Sequence, residues 1–239
     1  MGEAAIDATM DPMGSVHRLG DLTWLDVRDR SRIVLIPLGS LEQHGPHLPL
    51  DTDTRIALAI AEHVAELRDD LVIGPTITIG ASGEHAGFAG TMSIGTDALT
   101  SMLVELVRSA DAFTGVVLVN GHGGNQEALM AARAILHHEG RRVVAWSPSL
   151  PGADAHAGRS ETSLMMVIAP DMVRLELAEP GTTAPLDELI DDLRVGGVVS
   201  VSASGVLGDP TTASVEHGNE LLVTMIADLA HVIDRTFPS

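Results

Sequence analysis

The sequence predicts an α/β domain with helices on both faces of a largely parallel sheet. Three observations carry this. Short all-apolar runs alternate with longer stretches whose apolar residues recur at helical spacing. Polar and glycine-rich clusters follow those runs directly, where open α/β sheets bind ligands, outside the carboxyl ends of the strands. With 239 residues, 45% of them hydrophobic, and no internal repeat, the chain has core enough for one domain.

Taken in order, Met1 to Ser15 has neither a basic start nor an apolar centre, so no export signal is read and a cytoplasmic location is expected. Residues 1–18 are expected to form a flexible extension and 19–239 a single domain. No run approaches the ~20 apolar residues of a membrane helix, so no membrane partner is expected. Strands are predicted at Ile33 to Leu38, Leu71 to Ile73, Gly115 to Val119 and Arg142 to Trp146. Helices are predicted at Thr54 to Leu67, at Asp97 to Ala112 after Thr96 as N-cap, and at Asn125 to Glu139. Ser160 to Ile168 reads as a further helix. Asn219 to Ile233 is an amphipathic helix packed on the core.

Composition removes whole classes of function. Thirty-three acidic against fourteen basic residues give a formal charge of -19, which repels phosphate backbones, so nucleic acid is not expected as a partner. An acidic surface is also an ordinary means of staying soluble. The absence of cysteine excludes disulfides, thiolate zinc sites and cysteine nucleophiles. Any metal must be held by His, Asp and Glu.

The first predicted strand ends in a Gly-Ser step and then releases Glu42, His44, His47, Asp51 and Asp53 in quick succession. Glu42 and His44 are two apart, so on extended backbone both side chains leave on one face. Asp53 opens the next helix. Carboxylates and imidazole so close together after a strand have the composition of a divalent-metal site. The third strand delivers Asn120-Gly121-His122-Gly123-Gly124-Asn125, with His122 as a second imidazole ligand and Asn125 as a helix cap. Gly80 to Thr91 is a glycine-rich loop carrying Glu84 and His85, read as pocket wall. Asp154 to Ser163 carries His156 and then Glu161 near a helix start, where it can point at the cluster.

Each of these residues alone is more often a cap or a solvated side chain, and only their joint placement favours a site. His137, His138, His217 and His231 lack that placement and read as structural or exposed. The carboxylates of Asp154, Asp187, Glu188, Asp191 and Asp192 read as solvated surface.

The ordered motifs EQHGPHLPL with a TD pair (Glu42 to Asp53), EH…FAGT (Glu84 to Thr91), NGHGGN (Asn120 to Asn125) and HAGRSETS (His156 to Ser163) resemble the creatininase family over roughly residues 32–235. Glu179 to Ser214 is most similar to the branch encoded with the mycofactocin pathway, peptidases acting on a ribosomally made precursor peptide. The resemblance implies a three-layer α/β/α sandwich, a homo-oligomer, and two divalent ions per chain, zinc, iron(II) or manganese. It implies that Asp53 bridges the two ions, that His44 and His122 complete one, and that Glu42 binds the other. Creatininase has a glutamate ligand two residues after the NGH histidine, whereas this chain has Gly124. Glu161 is the expected replacement ligand, with a second role beside His156, the expected proton shuttle, left open. Glu84, His85, Asn120 and Arg159 are expected to contact substrate, Arg159 through a peptide carboxylate.

Creatininase encloses its flat substrate with tryptophans, and only Trp24 and Trp146 occur here, so creatinine is disfavoured. The expected activity is hydrolysis of an amide in the modified precursor, releasing its carboxyl-terminal Val-Tyr-derived piece. Two alternatives stay open: hydrolysis of a small cyclic amide or a formamide, and a non-catalytic protein that only carries peptide.

Overall fold

The computed structural model describes residues 16–28, 31–150 and 152–238. The expected extension therefore lies outside the described residues as far as Ser15. His17 and Arg18 are tied to the sheet edge: the Ile73 amide donates to the His17 carbonyl at 2.8 Å, and Arg18 pairs with Glu62.

The elements run α1 (Trp24–Val27), β1 (Ile33–Leu38), α2 (Thr52–Ala65), β2 (Leu71–Ile73), α3 (Thr96–Arg108), β3 (Gly115–Asn120), α4 (Gln126–His138), β4 (Val143–Trp146), α5 (Arg159–Ile168), α6 (Leu186–Gly196), α7 (Val198–Val201) and α8 (Val215–Thr236). The four strands form a parallel sheet in the order β2-β1-β3-β4. β1 and β3 are buried at every position, as expected for parallel strands covered on both faces.

Strand alternation sorts the core into two layers. Ile33 and Leu35 of β1 pack with α2, α5 and α8, through residues such as Ile60, Leu164 and Leu229. Val34, Ile36 and Leu38 face the other way, onto Leu99 and Leu103 of α3 and Leu129 and Leu136 of α4. The result is the three-layer α/β/α sandwich. The Phe237 ring closes the first layer and is 1% exposed.

Some helix ends differ from expectation, each for a local reason. α2 begins at Thr52, so Asp53 lies inside its first turn. α3 includes Thr96, and its N-cap is Gly95 at φ 76°. α8 extends back to Val215 because the Ser214 side chain accepts the His217 amide at 3.1 Å. α6 was not among the expected helices, although Leu186, Leu189, Ile190 and Leu193 repeat at helical spacing between Pro185 and Gly196. Among the described residues no helix is long and apolar enough to cross a membrane.

Candidate metal centre

The strand order reverses between β1 and β3, and a crevice opens there at the carboxyl end of the sheet. Leu38 lies opposite Asn120, so the two ligand-bearing loops leave the sheet side by side. The loop after β1 and the first turn of α2 bring Glu42, His44 and Asp53. The loop after β3 brings His122, the turn Gly83–His85 brings Glu84 and His85, and the approach to α5 brings His156 and Glu161.

Asp53, 1% exposed, lies at the centre of the cluster. Its Oδ1 is 3.0 Å from His44 Nε2 and its Oδ2 3.1 Å from His122 Nδ1. Ser40 Oγ donates to Oδ2 at 2.8 Å. The two imidazoles thus flank Asp53 on opposite oxygens rather than sharing one side. Glu161 Oε2 stands 3.9 Å from His44 Nε2, and Glu42 Oε2 3.2 Å from His122 Nε2. Glu42 Oε1 lies 3.2 Å from His85 Nε2 and 3.8 Å from His156 Nδ1.

Donor atoms gather into three overlapping groups, Glu42 with His44 and Asp53, His44 with His156 and Glu161, and Glu42 with His85 and His156, each within 4.8 Å. Glu42 is fully buried, and although nitrogens surround both its oxygens, neither accepts a hydrogen bond of acceptable angle. A buried carboxylate without well-angled hydrogen bonds is costly, and carboxylate oxygens and imidazole nitrogens converging on one space suit a cation. The residues fit divalent metal.

The electrostatics agree. Burial pushes the Glu42 carboxyl up to about 7 against the pull of His122. Burial would lower His44 and His122, but neighbouring carboxylates, Asp53 foremost, raise them to about 10 and about 9. Asp53 is held well below the usual carboxylate range by the same two rings, despite its burial. The cluster therefore draws positive charge to two places. Burial, then neighbouring rings, lowers His85 to about 3 and His156 well below the ordinary histidine value, so both stay neutral.

Gln43, absent from the expected site, sets the orientation of these neutral rings. Its Oε1 accepts the Gly45 amide at 2.8 Å, which fixes the side-chain amide so that Nε2 donates to His85 Nδ1 at 2.9 Å and Gly205 O at 3.0 Å. His156 Nε2 donates to the Gln43 carbonyl at 2.8 Å, because a carbonyl can only accept. His156 Nδ1 is then an unprotonated nitrogen facing the cluster. Alternation along a strand would turn Gln43 away from its two neighbours, but residues 42–44 have no strand partner, so the alternation argument does not reach it.

Other expected residues stand elsewhere. Asn120 is spent on its own loop: Nδ2 donates to His122 O at 2.7 Å and Ser147 Oγ at 3.1 Å, while Oδ1 accepts from Asn125 Nδ2 at 3.0 Å and from the His122 amide. It positions His122. Arg159 is exposed and borders a different hollow, with Leu150, Asp209 and His217. Asp154 is no solvated bystander, because its carboxylate caps α5 by accepting the Ser160 amide at 3.0 Å and that of Arg159. His47 pairs with Thr162 Oγ1 at 2.8 Å and Asp51 with Arg55 at 2.7 Å, both outside the cluster.

Gly124 is explained by its neighbours: a Cβ there would strike Glu84 Oε1, the Ala81 carbonyl and His122 Nε2. Glu84, 3.5 Å from His122 Nε2, takes up that space. The cluster opens into a cavity of about 600 Å³ that Met130, Leu186, Ile190, Leu193, Val198 and Leu207 line with apolar surface, interrupted by Gln126, Glu127 and Arg194. Neither tryptophan lines it: Trp24 is 68% exposed, and Trp146 is buried with Nε1 donating to Asp228 at 2.7 Å.

Comparison with known proteins agrees with this architecture. The family model described as creatinine amidohydrolase matches residues 20–233. A mycofactocin precursor peptide peptidase of Mycolicibacterium smegmatis is 51% identical over 227 residues, 92% of each chain, and one of Mycobacterium tuberculosis is 47% identical over 234 residues, 93% of each. A solved structure described as creatininase Mn superposes with a TM-score of 0.77 at 27% identity, covering 94% of this chain and 100% of the other. Sequence, fold and relatives agree that the chain is a hydrolase and belongs to the creatininase family.

Proposed function

We propose that the chain is a metal-dependent peptidase that cleaves an amide bond of the modified mycofactocin precursor peptide and releases its carboxyl-terminal Val-Tyr-derived piece. The relatives named mycofactocin precursor peptide peptidase align over nearly the whole chain, and the ligand loops fall within residues 20–233 that the family model matches. The observation that carries the hydrolytic chemistry is Glu42, a fully buried carboxylate with two oxygens that accept no hydrogen bond, set among imidazoles.

Glu42, His44, Asp53, His122 and Glu161 would hold the divalent metal. Bound there, such ions supply a water nucleophile of lowered pKa and polarise the scissile carbonyl. The protein does the rest. Ser40 holds Asp53 in place, Gln43 orients the His85 and His156 rings, and Asn120 fixes the backbone of His122. His156 offers Nδ1 to the cluster while its other nitrogen is anchored on the Gln43 carbonyl, so it can take a proton from the nucleophile and return it to the departing amine. Glu161 accepts the Ala157 amide at 2.6 Å and so fixes the turn that presents His156.

The aliphatic cavity wall favours a peptide over creatinine, a flat polar ring that calls for aromatic walls. Incubation of the metal-loaded protein with a synthetic modified precursor, a formamide and creatinine in parallel tests this. Release of the carboxyl-terminal piece alone is the expected result. Turnover of a small amide without the peptide would replace the reading, and turnover of none would favour a peptide carrier.

A further inference from the structure

The cavity has two unlike halves. Its floor is the polar cluster, and much of its outer wall is one face of α6, where Leu186, Ile190 and Leu193 recur at i, i+4 and i+7. α6 buries none of its residues; Leu186 is 46% and Ile190 37% exposed. A helix of 11 residues gains little from its own hydrogen bonds and depends on burying an apolar face. This one turns that face, together with Arg194, into the cavity that Met130 of α4 also lines, and among the described residues no protein core covers it.

The helix is fastened to the site. It ends at Gly197, φ 67°, where a Cβ would come within 2.6 Å of the Glu84 carbonyl. A side chain is excluded there by conformation and by space, so the base of α6 rests directly on the turn that carries Glu84 and His85. The apolar wall also adjoins the proton shuttle. Leu207, which completes the wall, pairs with His156 through two backbone hydrogen bonds, His156 N to Leu207 O at 3.2 Å and Leu207 N to His156 O at 2.9 Å. The apolar half therefore begins beside the group that protonates the departing nitrogen.

From this we infer that α6 forms the specificity subsite of the peptidase proposed above: Leu186, Ile190 and Leu193, with Met130 and Leu207, receive an apolar side chain on the leaving-amine side of the scissile bond. The inference rests on the peptide-hydrolase reading for the identity of the ligand, and deepens it. Burying one such side chain strengthens binding by about tenfold to a hundredfold over a small polar one. Peptides with a bulky apolar residue after the cleaved bond are selected, and small polar amides gain nothing from the wall.

The test uses two uncleavable peptides that copy the precursor's carboxyl end, with a hydroxyethylene group replacing the scissile amide and either Leu or Ser following it. Dissociation constants are measured by titration calorimetry on the metal-loaded protein, for wild type, Ile190→Asp and Ile190→Met. Wild type and Ile190→Met are expected to prefer the Leu peptide at least tenfold. Ile190→Asp is expected to reduce that preference below threefold, with affinity for the Ser peptide and metal content unchanged. Equal binding of both peptides by wild type, a preference that survives Ile190→Asp, or an equal loss of affinity for both peptides would each overturn the inference. Because binding is read without turnover, a preference found in a protein that cleaves no precursor would uphold the subsite while refuting the proposed reaction.

Discussion

Substituting His156 by alanine separates two roles that the geometry offers the same ring. His156 belongs to two of the three donor groups, so by proximity alone it qualifies as a ligand. Its attachments argue otherwise. Nε2 is committed to the Gln43 carbonyl at 2.8 Å, Nδ1 stands 3.8 Å from the nearest oxygen of Glu42, and the ring lies against His44 and His85 with centroids 4.4 and 4.5 Å away. A ring anchored by one nitrogen with the other, unprotonated, turned to the cluster is placed to accept a proton.

Losing positioned acid–base catalysis lowers kcat by about 10²- to 10⁴-fold, or about 3–5 kcal/mol at about 1.4 kcal/mol per tenfold. The metal content should not change, since His44, His122, Asp53, Glu42 and Glu161 all remain. Metal is measured by elemental analysis of protein purified without chelator, and kcat by release of the carboxyl-terminal peptide at saturating substrate. A variant that loses metal in proportion to activity would make His156 a ligand and refute the assignment. A kcat within tenfold of wild type would refute the shuttle.

Further outcomes follow from other contacts. His122→Ala removes the imidazole between Asp53 and Glu42, so metal content is expected to fall below that of wild type and activity with it; unchanged metal would place the ligands elsewhere. Gly124→Ala drives a methyl group into Glu84 and His122, and should lower metal affinity and activity while leaving thermal stability within about 1–3 kcal/mol of wild type, the usual range for an inserted methyl group. An active, fully loaded variant would show that the fit at Gly124 is not needed. Asp154→Ala removes the side-chain cap of α5 and should cost about 0.5–2 kcal/mol in denaturant unfolding, with a drop in kcat because Glu161 sits in the same first turn. Phe237→Ala empties the space beneath Gly115 and should destabilise by about 3–5 kcal/mol without altering metal content, which calorimetry and elemental analysis together check.

The local sequence determined the scaffold and the chemistry of the donors. Ile33 to Leu38 and Gly115 to Asn120 are runs that cannot face water on either side, so they had to be interior strands, and their flanking helices carry a period that survives without tertiary context. The motifs after those strands and after β4 held Glu42, His44, Asp53, His122, His156 and Glu161, and all six meet in one cluster. Without cysteine, that cluster had to use oxygen and imidazole.

Tertiary structure decided which of these groups face one another. Asp53 reaches His44 nine residues before it and His122 sixty-nine residues after it with opposite oxygens, and no local pattern encodes the second pairing. Gln43 lies in a loop with no period from which to read its direction, while Asn120, at the end of β3, closed on the loop that follows it and Arg159, at the start of α5, borders another hollow, the last two against expectation. α6 shows the same division. Its stripe of Leu186, Leu189, Ile190 and Leu193 was written in the sequence, but that the stripe would cover the metal-ligand cavity rather than the core follows only from where Gly197 meets Glu84. Periodicity specifies that a face must be covered; the contacts made by distant segments specify what covers it.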